Sequence, residues 1–370
     1  MKSFSGNYFE DFTIGRVLKH ATPLTVNEAD LAIYRSLTGR RPGPPPRLPA
    51  KKADLPISRP LPGSRYALYS STPFAEAAGF DRQPVDPMIV FHVVFGKTVP
   101  DISLNAVANL GYADGKFMAP VYPGDTLYAT SEVIGRKENS NGKTGVVYVR
   151  TTGTNQNGDT VLTYVRWVMV NKKDHASPAP DAVLPDLPKA VDAADLSAYA
   201  HYASYDAELA GSPHFFDDYE IGEKIDHVDG MTIEEAEHQT ATRLYQNTAK
   251  VHFNQFEQGK GRFGQRLIYG GVVISTARSL AFNGLANAGQ MIAINGGTHC
   301  NPLFSGDTIH AWSEVLDKAD LSDTVGALRL RLVATKDLPC ADYPYIAEDG
   351  KYLPNVLLDF DYWAAIPKSR

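Results

Sequence analysis

Phe9-Glu10-Asp11-Phe12-Thr13-Ile14-Gly15 returns later in the same chain as Phe216-Asp217-Asp218-Tyr219-Glu220-Ile221-Gly222, an offset of 207 residues. The same offset sets His20 against His227, and Thr25-Val26-Asn27-Glu28-Ala29 against Thr232-Ile233-Glu234-Glu235-Ala236. Self-similarity at this spacing means that one structural unit occurs twice. Each copy opens with a strand and a turn. The Thr-x-x-Glu that follows, at Thr25 and at Thr232, predicts a capping box in which side chains satisfy the first free amides of a helix. His20 and His227 recur at strand-like positions, which points to packing.

Further along, the register changes. Pro120-Val121-Tyr122-Pro123-Gly124-Asp125-Thr126-Leu127 matches Pro302-Leu303-Phe304-Ser305-Gly306-Asp307-Thr308-Ile309, and Ser131-Glu132-Val133 matches Ser313-Glu314-Val315, both at an offset of 182. The first copy therefore carries about 25 additional residues. The stretch 40–63, RRPGPPPRLPAKKADLPISRPLPG, accounts for them. Proline removes amide donors and clashes with helix, so this stretch is predicted to be an extended or partly disordered surface insertion. Excising it sets Ser64-Arg65-Tyr66-Ala67-Leu68-Tyr69 against Asn247-Thr248-Ala249-Lys250-Val251-His252.

An apolar run follows in each copy: Pro87 to Gly96, and Gly270 to Ala277 continuing to Phe282. Periodicity leaves helix and strand both open. The length of the second run and its small residues favour a helix wrapped by a sheet. Long alternating segments close each half. Gly145–Thr151 and Val161–Val170 flank the turn Asn157-Gly158-Asp159, and Gly326–Thr335 and Asn355–Trp363 are their counterparts. These read as antiparallel hairpins. Gly124-Asp125-Thr126 and Gly306-Asp307-Thr308 read as turns that set strand register. The predicted organisation is an N-terminal domain over residues 1–173, a linker over 174–212 and a C-terminal domain over 213–370. The fold class is α+β.

Composition narrows the function. The chain is 43% hydrophobic and 21% charged with a net charge of -6, which suits a folded globular protein and argues against a nucleic-acid or anionic-membrane partner, either of which would favour a basic face. No window reaches signal-peptide or membrane-span character. Two cysteines, Cys300 and Cys340, are too few for a disulfide framework, so a cytoplasmic protein is the expectation. The ten histidines show no metal-ligand spacing, and neither a metal nor a cofactor is expected. A homodimer stays open as the assembly.

The order of strand and turn, capped helix, short motif ending in histidine, apolar helix and Gly-Asp-Thr strand start resembles the MaoC-like hydratases. The resemblance spans the chain apart from the insertion. It implies a tandem double hot-dog, each half an antiparallel sheet wrapped around a long central helix. Within that family, Phe91 to Asp101, Ser103 to Asp114 and Lys137 to Asn141 resemble the mesaconyl-CoA hydratases. That likeness implies reversible addition of water to an enoyl-CoA thioester in C5 dicarboxylate metabolism.

The resemblance also carries expectations about residues. The family's Asp-x-Asn-Pro-x-His motif falls on Asn247 to His252, so His252 is the expected general acid and base. The alternative is a buried, satisfied histidine. Asn247 replaces the aspartate; an amide cannot take a proton, so its expected role is positioning. The backbone amides of Gly270 and Gly271, at the start of the central helix, are expected to hold the thioester oxygen, against the reading of a plain helix start. Tyr269 would touch substrate or pack. In the first half Tyr69 stands where His252 stands, so that half is expected to be catalytically silent. Asp86, beside Pro87, is either a second acid or base at the substrate or a helix cap. Lys260, Arg262 and Arg266 are candidates for the anionic groups of the substrate, or a surface charge run. His92 is expected to be a core histidine. A thioesterase or a non-catalytic acyl-CoA-binding protein is the alternative function. The absence of Asp and Glu from Gly270–Ala281 counts against the thioesterase.

Overall fold

The computed structural model describes residues 4–39 and 65–369. The proline-rich stretch 40–63 and Ser64 lie outside the described residues, so the reading of an extended insertion is not addressed by it. The first half contains β1 (Val17–Lys19), β2 (Leu24–Thr25), helix α1 (Glu28–Thr38), the central helix α2 (Pro87–Thr98), and then β3 (Ala106–Phe117), β4 (Thr126–Glu138), β5 (Thr144–Thr154) and β6 (Thr160–Asn171). The second half repeats the order with β7 (Lys224–Thr232), α3 (Glu235–Leu244), the central helix α4 (Gly270–Leu280), β8 (Gln290–His299), β9 (Thr308–Asp320), β10 (Val325–Lys336) and β11 (Val356–Pro367). Both apolar runs left open by periodicity are helices. Among the described residues no helix is long and apolar enough to cross a membrane.

Burial explains why β-branched residues accept helix in α2. Every residue of Pro87–Thr98 is buried, so the helix is enclosed on all sides and shows no amphipathic stripe. Each large apolar side chain shut away in it, such as Phe91 or Ile89, stabilises the fold by about 1.5–3 kcal/mol. Gly96 is where the other half crosses. A Cβ there would overlap the carbonyl oxygen of Tyr245, so Gly96→Ala would force the halves apart.

The strands form one antiparallel sheet of eleven, ordered β1-β4-β5-β6-β3-β8-β11-β10-β9-β7, with β2 beside β4. The halves join through β3 and β8, where Tyr112 faces Gly297 and Gly115 faces Ile294. The sheet wraps α2 and α4 together, and residues of both helices share one apolar core. The hairpins predicted from sequence are present as β5–β6 and β10–β11. The two Gly-Asp-Thr turns fix register alike: Gly124 and Gly306 have φ of 101° and 94°, a region that favours glycine, and Asp125 and Asp307 accept from Tyr122 and Phe304 amides at 2.8 Å.

One expectation is corrected. The capping residues are Asn27, paired with Asp30, and Glu234, paired with Glu237, two residues beyond the predicted threonines. Thr25 and Thr232 end strands instead, where their hydroxyls bond Thr126 and Thr308 at 2.8 Å. The later part of the linker over 174–212 packs against the fold. Val191, Ala200, Tyr202 and Ala210 are buried with Tyr66, Tyr69 and Phe74 in a second apolar cluster.

Candidate active site

A cavity of about 360 Å³ lies between the halves. The first half supplies Phe95, Ser103, Asn109, Tyr112 and Arg166 to its wall, and the second supplies Asn247, His252, Tyr269, Gly270 and His299. No Asp or Glu is among the described residues that line it.

His252 sits in a single helical turn, Lys250–Phe253, ahead of α4. Its Nδ1 lies 3.0 Å from the carbonyl oxygen of Leu267. A carbonyl only accepts, so Nδ1 carries the proton and Nε2 keeps its lone pair. Burial lowers the imidazole pKa to about 4, only partly opposed by the bond to Leu267, so the ring is neutral at pH 7. Asn247, which also lines the cavity, is 4% exposed and uses Oδ1 to accept from the Ala249 amide at 3.1 Å.

α4 begins at the cavity. Tyr269 precedes its first turn, and its amide donates to His238 Nε2 at 2.9 Å. The Tyr269 hydroxyl is buried without a protein partner. Burial, then the neighbouring phenols Tyr112, Tyr164 and Tyr245, raise its pKa well above the ordinary value, so it remains a donor. Gly270 is on the cavity wall, and amides in a first helical turn have no intrahelical acceptor. Gly271 is not among the lining residues. It is buried behind Gly270, where a Cβ would meet the Tyr269 ring and His92.

A second imidazole completes this wall. His299 ends β8 with its ring packed over Gly270, where a Cβ would overlap it. Its Nε2 is 3.4 Å from the Tyr112 hydroxyl. Burial, then His252, lower its pKa to about 4. The sequence reading missed it. The available signal was Gly296-Gly297 just before it, since glycines within a strand mark close approach of a ligand or another backbone.

Comparison with known proteins bears on what this wall can do. The mesaconyl-CoA hydratase family model matches residues 64–340. A curated β-methylmalyl-CoA dehydratase of Chloroflexus aurantiacus is 56% identical over 371 residues, covering 99% of both chains. A curated mesaconyl-CoA hydratase of Cereibacter sphaeroides is 55% identical over 373 residues and covers 100% of both. The chain belongs to the mesaconyl-CoA hydratase family. A crystal structure of a MaoC-domain dehydratase from Chloroflexus aurantiacus superposes with a TM-score of 0.92 at 55% identity over 100% of each chain. A Mycobacterium tuberculosis protein with a double hotdog fold superposes at 0.72 over 98% of this chain and 99% of its own, at 24% identity. The fold of this hydratase family member is thus the tandem double hot-dog.

In this hydratase scaffold the remaining candidates from sequence lie elsewhere. Asp86 does not reach the cavity. It is 2% exposed, caps α2 by accepting from the Met88 amide at 2.8 Å, and binds the Arg278 guanidinium at 2.9 Å. Lys260 and Arg262 are exposed and rest on Phe256 and Phe263, at 3.7 Å and 5.1 Å from the ring centres. Arg266 is tied to Glu235 and Gln239 on α3. His92 is fully buried against Tyr245 and bonds Ser275 at 2.8 Å. His20 and His227 bond Ser131 and Ser313 at 2.8 Å, which holds the strands.

The mirror position in the first half is filled. Tyr69 is buried where the second half has His252, and only gaps of about 20 and 10 Å³ remain beside it. The Asp86–Arg278 pair and Tyr66, whose ring lies 4.8 Å beneath the guanidinium, occupy the remaining space.

Proposed function

We propose that this enzyme adds water reversibly across the double bond of mesaconyl-CoA, giving β-methylmalyl-CoA, with His252 as the proton carrier. The observation that carries this reading is a neutral imidazole with Nδ1 tied to Leu267, on the wall of a cavity that the lining residues leave without a carboxylate. Its free Nε2 is unprotonated at neutral pH and can accept a proton there.

In the hydration direction Nε2 takes a proton from water as the water oxygen bonds to the β-carbon. The π electrons of the double bond move toward the thioester, and an enolate oxygen develops. The Gly270 amide, helped by the N-terminal end of α4, stabilises that charge; Gly271 continues the same turn behind it. The imidazolium then gives its proton to the α-carbon, so water is added in full and the ring returns to its starting state. Asn247 holds water or substrate at the cavity floor, and the Tyr269 hydroxyl offers a further donor. A hot-dog thioesterase would need a carboxylate to activate water, and the lining residues contain none. The same reading sets the enzyme in the cytoplasm, where thiols such as Cys300 and Cys340 stay free.

The test is to incubate the protein separately with mesaconyl-CoA and crotonyl-CoA, following enoyl absorbance and free CoA. Loss of mesaconyl-CoA absorbance without CoA release is the expected result. Release of CoA at a comparable rate, or no change in mesaconyl-CoA, sinks the reading.

A further inference from the structure

Two arginines are deeply buried, and the chain treats them differently. Arg278 faces the carboxylate of Asp86 and also donates to the Gly289 carbonyl. Arg166 has no such partner. It lies on β6, is 0% exposed, and takes an inward position in line with Tyr164 and Val168. One nitrogen, Nη2, donates to Thr98 Oγ1 at 2.7 Å. Nε and Nη1 are buried with no protein acceptor. The guanidinium lies 4.3 Å from the centre of the Phe95 ring and borders the cavity.

A buried cation without an anion costs several kcal/mol and is tolerated when something supplies the missing charge. The negative end of α2, near Phe95 and Thr98, offsets part of that cost but accepts neither free N–H. The neighbouring phenols Tyr112, Tyr164 and Tyr269 are neutral. Arg166 is the one side chain charged at neutral pH among the described residues lining the cavity, since its histidines, phenols and Cys300 are neutral there. Two more neutral polar groups on this wall are also unpartnered: Ser103 Oγ, and both side-chain atoms of Asn109. The first half thus places a cation and unpartnered polar groups on the cavity wall, which the imidazoles of the second half also line.

We propose that Arg166 binds the free carboxylate of the substrate through N–H groups that no protein atom accepts, and so selects dicarboxylic enoyl thioesters over plain ones. This rests on the hydratase reading given above. A guanidinium offers a carboxylate a planar fork, and with one N–H of Nη2 given to Thr98 the other remains beside Nε or Nη1 for such two-point contact. It also explains why Lys260 and Arg262 can remain on the surface and Arg266 can serve Glu235 and Gln239: the charge needed at the acyl end is already inside.

The experiment uses two unreactive thioesters that differ only in that group, succinyl-CoA and butyryl-CoA, titrated calorimetrically into wild type, Arg166→Gln and Arg166→Lys. Wild type should bind succinyl-CoA more tightly. Arg166→Gln should lose about 10- to 100-fold in affinity for succinyl-CoA while butyryl-CoA changes about twofold or less. Arg166→Lys should recover part of the loss, for succinyl-CoA alone. Equal loss of both thioesters in the variants makes Arg166 part of the framework and overturns the proposal, as does unchanged preference. If wild type fails to hydrate mesaconyl-CoA, the functional reading falls. If it hydrates mesaconyl-CoA and Arg166→Gln keeps the preference, only the assignment of Arg166 falls.

Discussion

His252 donates its Nδ1 proton to the carbonyl oxygen of Leu267, 3.0 Å away, and this one bond decides which nitrogen of the ring is available for chemistry. Removing the imidazole should therefore remove the proton carrier and little else. His252→Ala should lower kcat about 100- to 10,000-fold with a much smaller change in KM. Asn247→Ala, which removes a positioning group, should cost less. Steady-state kinetics on mesaconyl-CoA checks both, and near-wild-type turnover by His252→Ala would move the base elsewhere.

The pH profile follows from the same ring. A base whose pKa burial has lowered to about 4 stays unprotonated through the mildly acidic range. The acid limb of kcat/KM should lie near pH 4 and not near the ordinary imidazole value of about 6.5. Short assays after a pH jump, with enzyme stored at neutral pH, separate this limb from unfolding. A limb near 6.5 that vanishes in His252→Ala would mean that the ring is much better solvated than its position implies.

Gly270→Ala probes the oxyanion wall. A methyl group at that position overlaps the His299 ring, which must shift. Turnover should fall at least about tenfold, since displacements near 1 Å can cost that much or more. His299→Ala should relieve the overlap, so the double variant should be more active than additivity predicts. Additive losses would show that the two residues do not act on each other.

Asp86 separates stability from function. Asp86→Ala leaves Arg278 buried without its carboxylate and removes the cap of α2, so it should destabilise the fold by about 3–5 kcal/mol. The folded fraction should hydrate substrate with near-wild-type KM. Denaturant titration and kinetics together check this. A raised KM at unchanged stability would return Asp86 to the substrate.

Acid should unfold the protein cooperatively. His92, His227 and His238 are buried and neutral, with pKa values lowered by burial to about 3, 4 and 3. Their stabilising contribution is complete above the unfolded value of about 6.5. It declines as pH falls toward 4, because the unfolded chain binds the three protons first. Around pH 5 these three rings alone should give a slope of about 4 kcal/mol per pH unit, to which His252 and His299, also lowered to about 4, add. Denaturant midpoints at pH 5, 6 and 7 measure it. A flat response would mean that these rings are already charged in the fold.

The duplication and the hairpins were legible because each rests on a repeat or on a turn that only certain residues make; for the central helices periodicity left strand open, and run length and small residues favoured helix. The helix caps were misplaced by two residues because Thr-x-x-Glu fits a capping box equally well, while the real threonines serve a cross-strand pair, which depends on a distant partner. That His252 and Asn247 line the cavity was anticipated through the resemblance to the hydratase motif. Arg166 could not: within Tyr164-Val165-Arg166-Trp167 an arginine reads as solvent-facing, and only the closed sheet turns it inward. The cations at 260, 262 and 266 misled for the opposite reason. They are near the central helix in sequence, yet the loop carries them outward onto Phe256, Phe263 and Glu235.

The pairing of β3 with β8 has a consequence for how such an enzyme can change. Two separate molecules joined along that seam would dissociate on dilution and would have to be alike on both sides. Within one polypeptide the partner is always present at high effective concentration, and the requirement of likeness is lifted. One copy could then fill its own hollow with tyrosines and a salt link while the other kept its histidines. A symmetric ancestor would hold two equivalent vessels; this chain has traded one of them for a wall of different chemistry around the other.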